Sequence, residues 1–130
     1  MRRFVEASAR LPTGDPGAEG TGLAPMARAD LRDELHKQVQ ASVAKGARVL
    51  AGGEPVAGSY AGYPATVLDQ VGPGMPAYDE ELFGPVAAVI RVKDEAEAKL
   101  SWPESNMAIA LSCKTSEYIF RSVKGESSRP

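Results

Sequence analysis

A mostly apolar run, Val86-Ala87-Ala88-Val89-Ile90-Arg91-Val92, constrains this chain more than any other feature. A strand with one wet face alternates apolar and polar residues, whereas a run without alternation fits a strand covered on both faces. Gly84-Pro85 marks its start, where a proline is tolerated because no ladder hydrogen bond is lost. The clearest helical period lies earlier, at Leu31, Leu35, Val39 and Val43, with Asp30, Arg32, Asp33, Lys37, Gln38 and Lys45 on the other faces. Asp30, Asp33 and Glu34 near its start, Lys45 near its end and Gly46 beyond it agree with the helix dipole and a left-handed cap. Helices alternating with strands predict an α/β fold.

The remaining segments fill in that pattern. Phe4, Val5, Ala7, Ala9 and Leu11 share roughly one helical face, and the pattern stops at Pro12, as for the tail of a helix. A chain opening on such a helix, with no strand before it, reads as part of a larger fold. Residues 12–25 hold four Gly and three Pro and predict a long loop. Short strands are expected at Arg48–Leu50, closed by Gly52-Gly53, and at Thr66–Val71, before the break Gly72-Pro73-Gly74-Met75-Pro76. Asp94 to Leu100 resembles a helical first turn, interrupted by Trp102-Pro103. From Lys114 onward four basic and two acidic residues lie among Ser and Thr, as in a solvated and partly disordered terminus. The division expected is therefore 1–100 as the structured segment and 101–130 as a divergent tail.

Composition narrows the functional classes. The 130 residues are 43% hydrophobic and 25% charged, and a net charge of −2 predicts no counterion-driven grip on nucleic acid or an anionic membrane. Apolar runs of about five residues fall far short of the roughly 20 needed to span a bilayer. One Cys and one His exclude an internal disulfide and a four-ligand zinc site, which fits a cytoplasmic protein with no metal.

Three clusters invite chemistry. Gly72 to Ala77 matches G-x-G-x-x-A after a strand, with Asp94 downstream, as in a dinucleotide fingerprint. Pro73 and Pro76 remove two backbone donors, and Ala77 to Phe83 is too short for the helix that would face a pyrophosphate. Cys113 has no base but the distant His36, so it reads as a small buried hydrophobe and His36 as a solvated helix residue. Within Asp79-Glu80-Glu81 a charge run is ordinarily a wet face. Glu81 and Phe83, however, straddle Leu82 before a Gly-Pro bend, which points both to one side of a rigid turn. A carboxylate beside an aromatic face suits a ligand carrying a diol and a flat ring.

Glu80-Glu81-Leu82-Phe83-Gly84-Pro85-Val86 closely resembles the E-E-[IL]-F-G-P-V signature of the NAD(P)-dependent aldehyde dehydrogenase superfamily. Thr13-Gly14-Asp15-Pro16, Leu23-Ala24-Pro25-Met26, Gly46 to Glu54 and Pro64-Ala65-Thr66-Val67-Leu68 resemble its other segments in order, over roughly residues 4 to 98. Ala27 to His36 is most similar to the bacterial succinate-semialdehyde dehydrogenase branch. Ala24 stands where the family has Gly, and the family's Leu-Ala-Asn-Asp and Gly-Leu segment is not matched beyond Lys99.

The resemblance implies a partial catalytic domain, an open three-layer sheet with flanking helices, from an enzyme that oxidises a small-molecule aldehyde to a carboxylic acid with NAD or NADP. It implies that Glu81 holds the nicotinamide-side ribose hydroxyls and that Phe83 packs by the ring. The family's nucleophilic Cys and general-base Glu lie upstream of this segment, so no catalytic residue is expected here and the isolated chain is expected to be inactive. The full-length family is homo-oligomeric through a C-terminal strand not matched here. Two alternatives accompany this reading: a non-enzymatic interaction module using the Leu31 to Val43 helix face, and a small dinucleotide-binding protein using Gly72 to Ala77.

Overall fold

The computed structural model describes residues 1–94; the turn expected from Asp94 onward, Cys113 and the basic tail lie outside the described residues, Asp94 itself excepted. Its elements are α1 (Arg2–Ala9), α2 (Ala29–Ala44), β1 (Arg48–Ala51), β2 (Thr66–Val71), the single turn α3 (Pro76–Asp79) and β3 (Val86–Ile90). They form an open three-stranded sheet in the order β1-β2-β3, with β1 antiparallel and β3 parallel to β2.

Successive side chains of β2 face opposite layers, and this gives the fold its three-layer plan. Val67 joins Ala51 of β1 and Val89 of β3, and Met1, Phe4 and Val5 of the α1 region pack onto them. Leu68 and Val71 face the other way, into a cluster with Val39 of α2, Ala47 and Ala77 of α3. Helices thus cover both faces of the sheet, as the α/β pattern predicts.

The apolar run and the central strand turn out to be different segments. β3 ends at Ile90 rather than Val92, only Val89 is fully buried, and β3 is an edge strand among the described residues. The strand buried on both faces is β2, whose sequence T-V-L-D-Q-V carries a charge. Burial follows position in the sheet: β2 has a neighbour on each side and a helix layer on each face. Its Asp69 is accommodated by Arg91, whose Nε and terminal nitrogen donate to the two carboxylate oxygens at 2.9 and 2.7 Å.

α2 follows the predicted range, but its inward face differs. Leu35 and Val39 are buried, while Leu31 and Val43 are 38% and 40% exposed and Ser42 is buried instead. Positions four apart advance about 40° beyond a full turn, so a strict every-four stripe winds off the contact line, and 35, 39 and 42 stay on it. Ser42 is satisfied there: its Oγ donates to the Gln38 carbonyl at 2.8 Å and accepts from the Ala77 N–H at 2.9 Å. The helix closes as the cap residues predict, with Gly46 at φ +112° and the Ala47 N–H returning to the Ser42 carbonyl at 3.0 Å.

The Gly- and Pro-rich stretch after α1 is a loop held by its own backbone. The Gly22 and Leu23 N–H groups donate to the Pro12 carbonyl, Gly14 N–H to Leu23, and Asp15 Oδ1 accepts from the Gly17 N–H at 2.7 Å.

Candidate functional site

The E-E-L-F-G-P-V segment runs from the end of α3 to the start of β3, and its geometry comes from three local causes. α3 is followed by Glu80, which turns to extended backbone at φ −121° and ψ 159°. Leu82 then packs against the cluster built on Val39 and Leu68, while Glu81 and Phe83 stay exposed, Phe83 to 65%. Two tight turns follow, with the Gly84 N–H donating to the Leu82 carbonyl and the Val86 N–H to the Gly84 carbonyl, at 3.1 and 2.8 Å. Gly84 allows this turn to lie flush on α2, because a Cβ there would come within 2.4 Å of Leu35 Cδ2. The Pro85 carbonyl accepts from the Thr66 N–H at 2.8 Å and ties the turn to β2.

Glu81 and Phe83 are brought together as their spacing predicts. Both line a shallow cavity of about 220 Å³ with Leu31, Glu34, Leu35 and Gln38 of α2. Among the described residues the Glu81 carboxylate has no hydrogen bond or ion pair, whereas the Glu80 carboxylate accepts from Gln38 Nε2 at 2.8 Å. The same Gln38 nitrogen lies 3.5 Å from the Glu81 carbonyl. An ionised carboxylate only accepts hydrogen bonds, so Glu81 is chemically matched to a pair of hydroxyl donors, with Phe83 and Leu31 supplying apolar area beside it.

The α2 side of this cavity was not predicted from sequence. Its signal is nonetheless there: 31, 34, 35 and 38 share one helical face, and that face interleaves Glu34 and Gln38 with the leucines. Read as one apolar stripe, it hides the polar members.

Of the other groups singled out in the sequence, among the described residues only His36 is placed differently from its expectation. The Gly72 to Ala77 segment does not present a phosphate cradle, since α3 has four residues and its early N–H groups are engaged. The Ala77 N–H serves Ser42 Oγ, the Met75 N–H the Gly72 carbonyl, and the Gly72 N–H lies 3.4 Å from Met75 Sδ. His36 is not a solvated surface residue: its Nδ1 lies 3.1 Å from the hydroxyl of fully buried Tyr63, and its Nε2 lies 3.6 Å from a Glu54 oxygen. Tyr63 in turn donates to the Gly53 carbonyl at 3.1 Å, so this chain of contacts fastens α2 to the turn after β1 and stands apart from the cavity. Among the described residues no group of three or more His, Cys, Asp or Glu is placed to hold a metal ion, and no helix is long and apolar enough to cross a membrane.

A second cavity, of about 260 Å³, opens between the 13–15 loop and residues 56–59. Its one carboxylate, Asp15, is already committed to the turn it caps.

Comparison with known proteins bears on the fold and the family. The chain is 56% identical over 96 residues to the NAD(P)+ succinate semialdehyde dehydrogenase Sad of Escherichia coli (strain K12), covering 74% of this chain and 21% of that enzyme. It is 39% identical over 117 residues to a vanillin dehydrogenase of Amycolatopsis sp., covering 88% and 23%. Among solved structures it superposes on a salicylaldehyde dehydrogenase of Pseudomonas putida G7, crystallised with salicylaldehyde, with TM-score 0.73 at 36% identity, over 86% of this chain and 23% of that one. The lactaldehyde dehydrogenase of Escherichia coli gives TM-score 0.75 at 30% identity over 86% and 24%. The chain therefore spans roughly a fifth to a quarter of the length of the relatives it matches. Residues 1–117 match the model of the aldehyde dehydrogenase family, and the chain belongs to that family.

Proposed function

We propose that this chain is a catalytic-domain segment of an NAD(P)-dependent aldehyde dehydrogenase of the succinate-semialdehyde type, and that Glu81 and Phe83 form its edge of the cofactor site. The observation that carries this reading is the shared cavity, in which a free carboxylate and an exposed aromatic ring stand side by side on a turn held by Gly84. The 56% identity to a succinate semialdehyde dehydrogenase supports the choice of branch.

The donor and acceptor set fits the nicotinamide half of a dinucleotide. The Glu81 carboxylate would accept from ribose hydroxyls, Phe83 would cover one face of the nicotinamide, and Leu31 would exclude water beside it. The cofactor, when bound, supplies the hydride acceptor for aldehyde oxidation. These residues bind and orient it; none of them is placed to attack an aldehyde. Cys113 follows the E-E-L-F-G-P-V motif in the chain, whereas the nucleophile of the family it resembles precedes it. The 130-residue chain alone is thus proposed to be inactive, with assembly into homo-oligomers a property of the complete enzyme. A cytoplasmic location rests on the lone Cys.

The test is a residue-by-residue amide-shift titration of the labelled chain with NAD and NADP to tens of millimolar. Shifts concentrated at residues 81–84 and on the 31–38 face, lost in Glu81→Gln and Phe83→Ala, support the reading. Shifts elsewhere, or succinate semialdehyde oxidation by the chain itself, overturn it. The affinity will be low, because half a cofactor site offers few contacts against the cost of immobilising the ligand.

A further inference from the structure

Two acids stand next to each other in this turn, yet only one is free. The extended backbone at Glu80 sends successive side chains to opposite sides, so Glu80 shares the side of Leu82, and Glu81 the side of Phe83. The donor that meets Glu80 is Gln38, one helical turn before buried Ser42 on α2. Its carboxamide nitrogen carries two hydrogens and meets two acceptors, the Glu80 carboxylate at 2.8 Å and the Glu81 carbonyl at 3.5 Å. Gln38 also lines the cavity itself.

We propose that Gln38 is the positioning residue of this site. It binds the Glu80 carboxylate and steadies the Glu81 backbone, so that Glu81 is the acid of this turn whose carboxylate faces the ligand. This inference rests on the reading of the cavity as the nicotinamide-ribose edge. Gln38 keeps the neighbouring acid out of the way: a Glu80 carboxylate released from it could swing toward Glu81, repel it and compete for the same hydroxyl donors. One acid held by a neutral amide removes that conflict and adds no positive charge to draw Glu81 away. The amide is suited to the task because it is a donor at fixed reach on a helix that Leu35 and Val39 anchor in the core.

The proposal is tested on the 130-residue chain with Gln38→Glu, Glu80→Gln and the two combined. Gln38→Glu turns the donor into an acceptor beside Glu80, and the combined exchange restores a donor at position 80 for an acceptor at position 38. Backbone order at residues 80–83 is measured by amide relaxation without ligand, and affinity by the amide-shift titration with NAD. Gln38→Glu is expected to drop order at residues 80–83 and weaken NAD about tenfold, and the combined exchange to recover most of both. Gln38→Met, which keeps the volume and adds no charge, gives the same readout if Gln38→Glu fails to fold.

Unchanged order in Gln38→Glu and in Gln38→Met overturns the proposal. So does lost order with unchanged NAD affinity, or a combined exchange no better than Gln38→Glu. If the wild-type chain shows no NAD shifts at residues 81–84, the cofactor reading falls. The sorting of the two acids is then decided by the ligand-free order alone, supported if order is lost and recovered and overturned if it is not.

Discussion

Gly84 lies directly against Leu35: a Cβ on the glycine would sit 2.4 Å from the leucine Cδ2, and 3.3 and 3.4 Å from Cε and Sδ of Met26. The glycine of the signature is therefore required by space, since its backbone is not in the left-handed region. It lets the turn carrying Glu81 and Phe83 rest on the helix that forms the opposite wall of the cavity. Gly84→Ala is expected to cost roughly 1–3 kcal/mol through overpacking. Urea unfolding should show a lower midpoint. The same change made on a Leu35→Ala background should cost clearly less, because the methyl group then has room.

Asp69 and Arg91 join the buried strand β2 to the residue that follows β3. The paired hydrogen bonds from the Arg91 guanidinium hold the Asp69 carboxyl below its ordinary value of 3.8, against the opposing effect of burial, and the Gln70 N–H adds to the lowering. A depressed carboxyl stabilises the fold fully above its unfolded value, and the contribution disappears as pH falls through the folded value. Asp69→Asn should destabilise the chain by roughly 1–3 kcal/mol at neutral pH. Denaturation curves between about pH 7 and 2 should show this difference shrinking below about pH 4.

Tyr63 titrates in the opposite direction. Burial first, and the Glu54 carboxylate second, push its hydroxyl up to about 12. A phenol raised in this way contributes stability that is complete below its ordinary value of 10.0 and lost as pH rises through the folded value. Absorbance at alkaline pH should show a tyrosine phase that coincides with unfolding, and Tyr63→Phe should remove that phase. The same substitution strips the Gly53 carbonyl and His36 of their shared partner, at a cost of roughly 1–3 kcal/mol at neutral pH.

Gln70 has φ +60°, at the irregularity where the β2–β3 register shifts between Leu68 and Val71. A left-handed backbone costs a side-chain-bearing residue about 1–2 kcal/mol, and glycine's extra chain entropy returns about 0.5–1 kcal/mol of that. Gln70→Gly should therefore raise the thermal midpoint by a few degrees. A lower midpoint would mean that the side chain contributes more than the strain costs.

The turn bearing Glu81 and Phe83 was legible in the chain because its determinants are local. Residues two apart on an extended turn share a side, and Gly84-Pro85 ends the segment whatever surrounds it. The extent of α2 was legible for the same reason, through its period and its glycine cap. Long-range packing decided the rest. Among the described residues an apolar strand became an edge and a charged one became the centre, because burial depends on neighbours contributed by distant segments. His36 was drawn to Tyr63 across 27 residues, and Gln38 to Glu80 across 42, by contacts that no periodicity encodes. Local patterning sets where the helices and strands lie, which residues the signature turns outward, and the family they resemble. Which strand is buried, which face of α2 completes the cavity and which of two adjacent acids is left free are set by groups that only folding brings together.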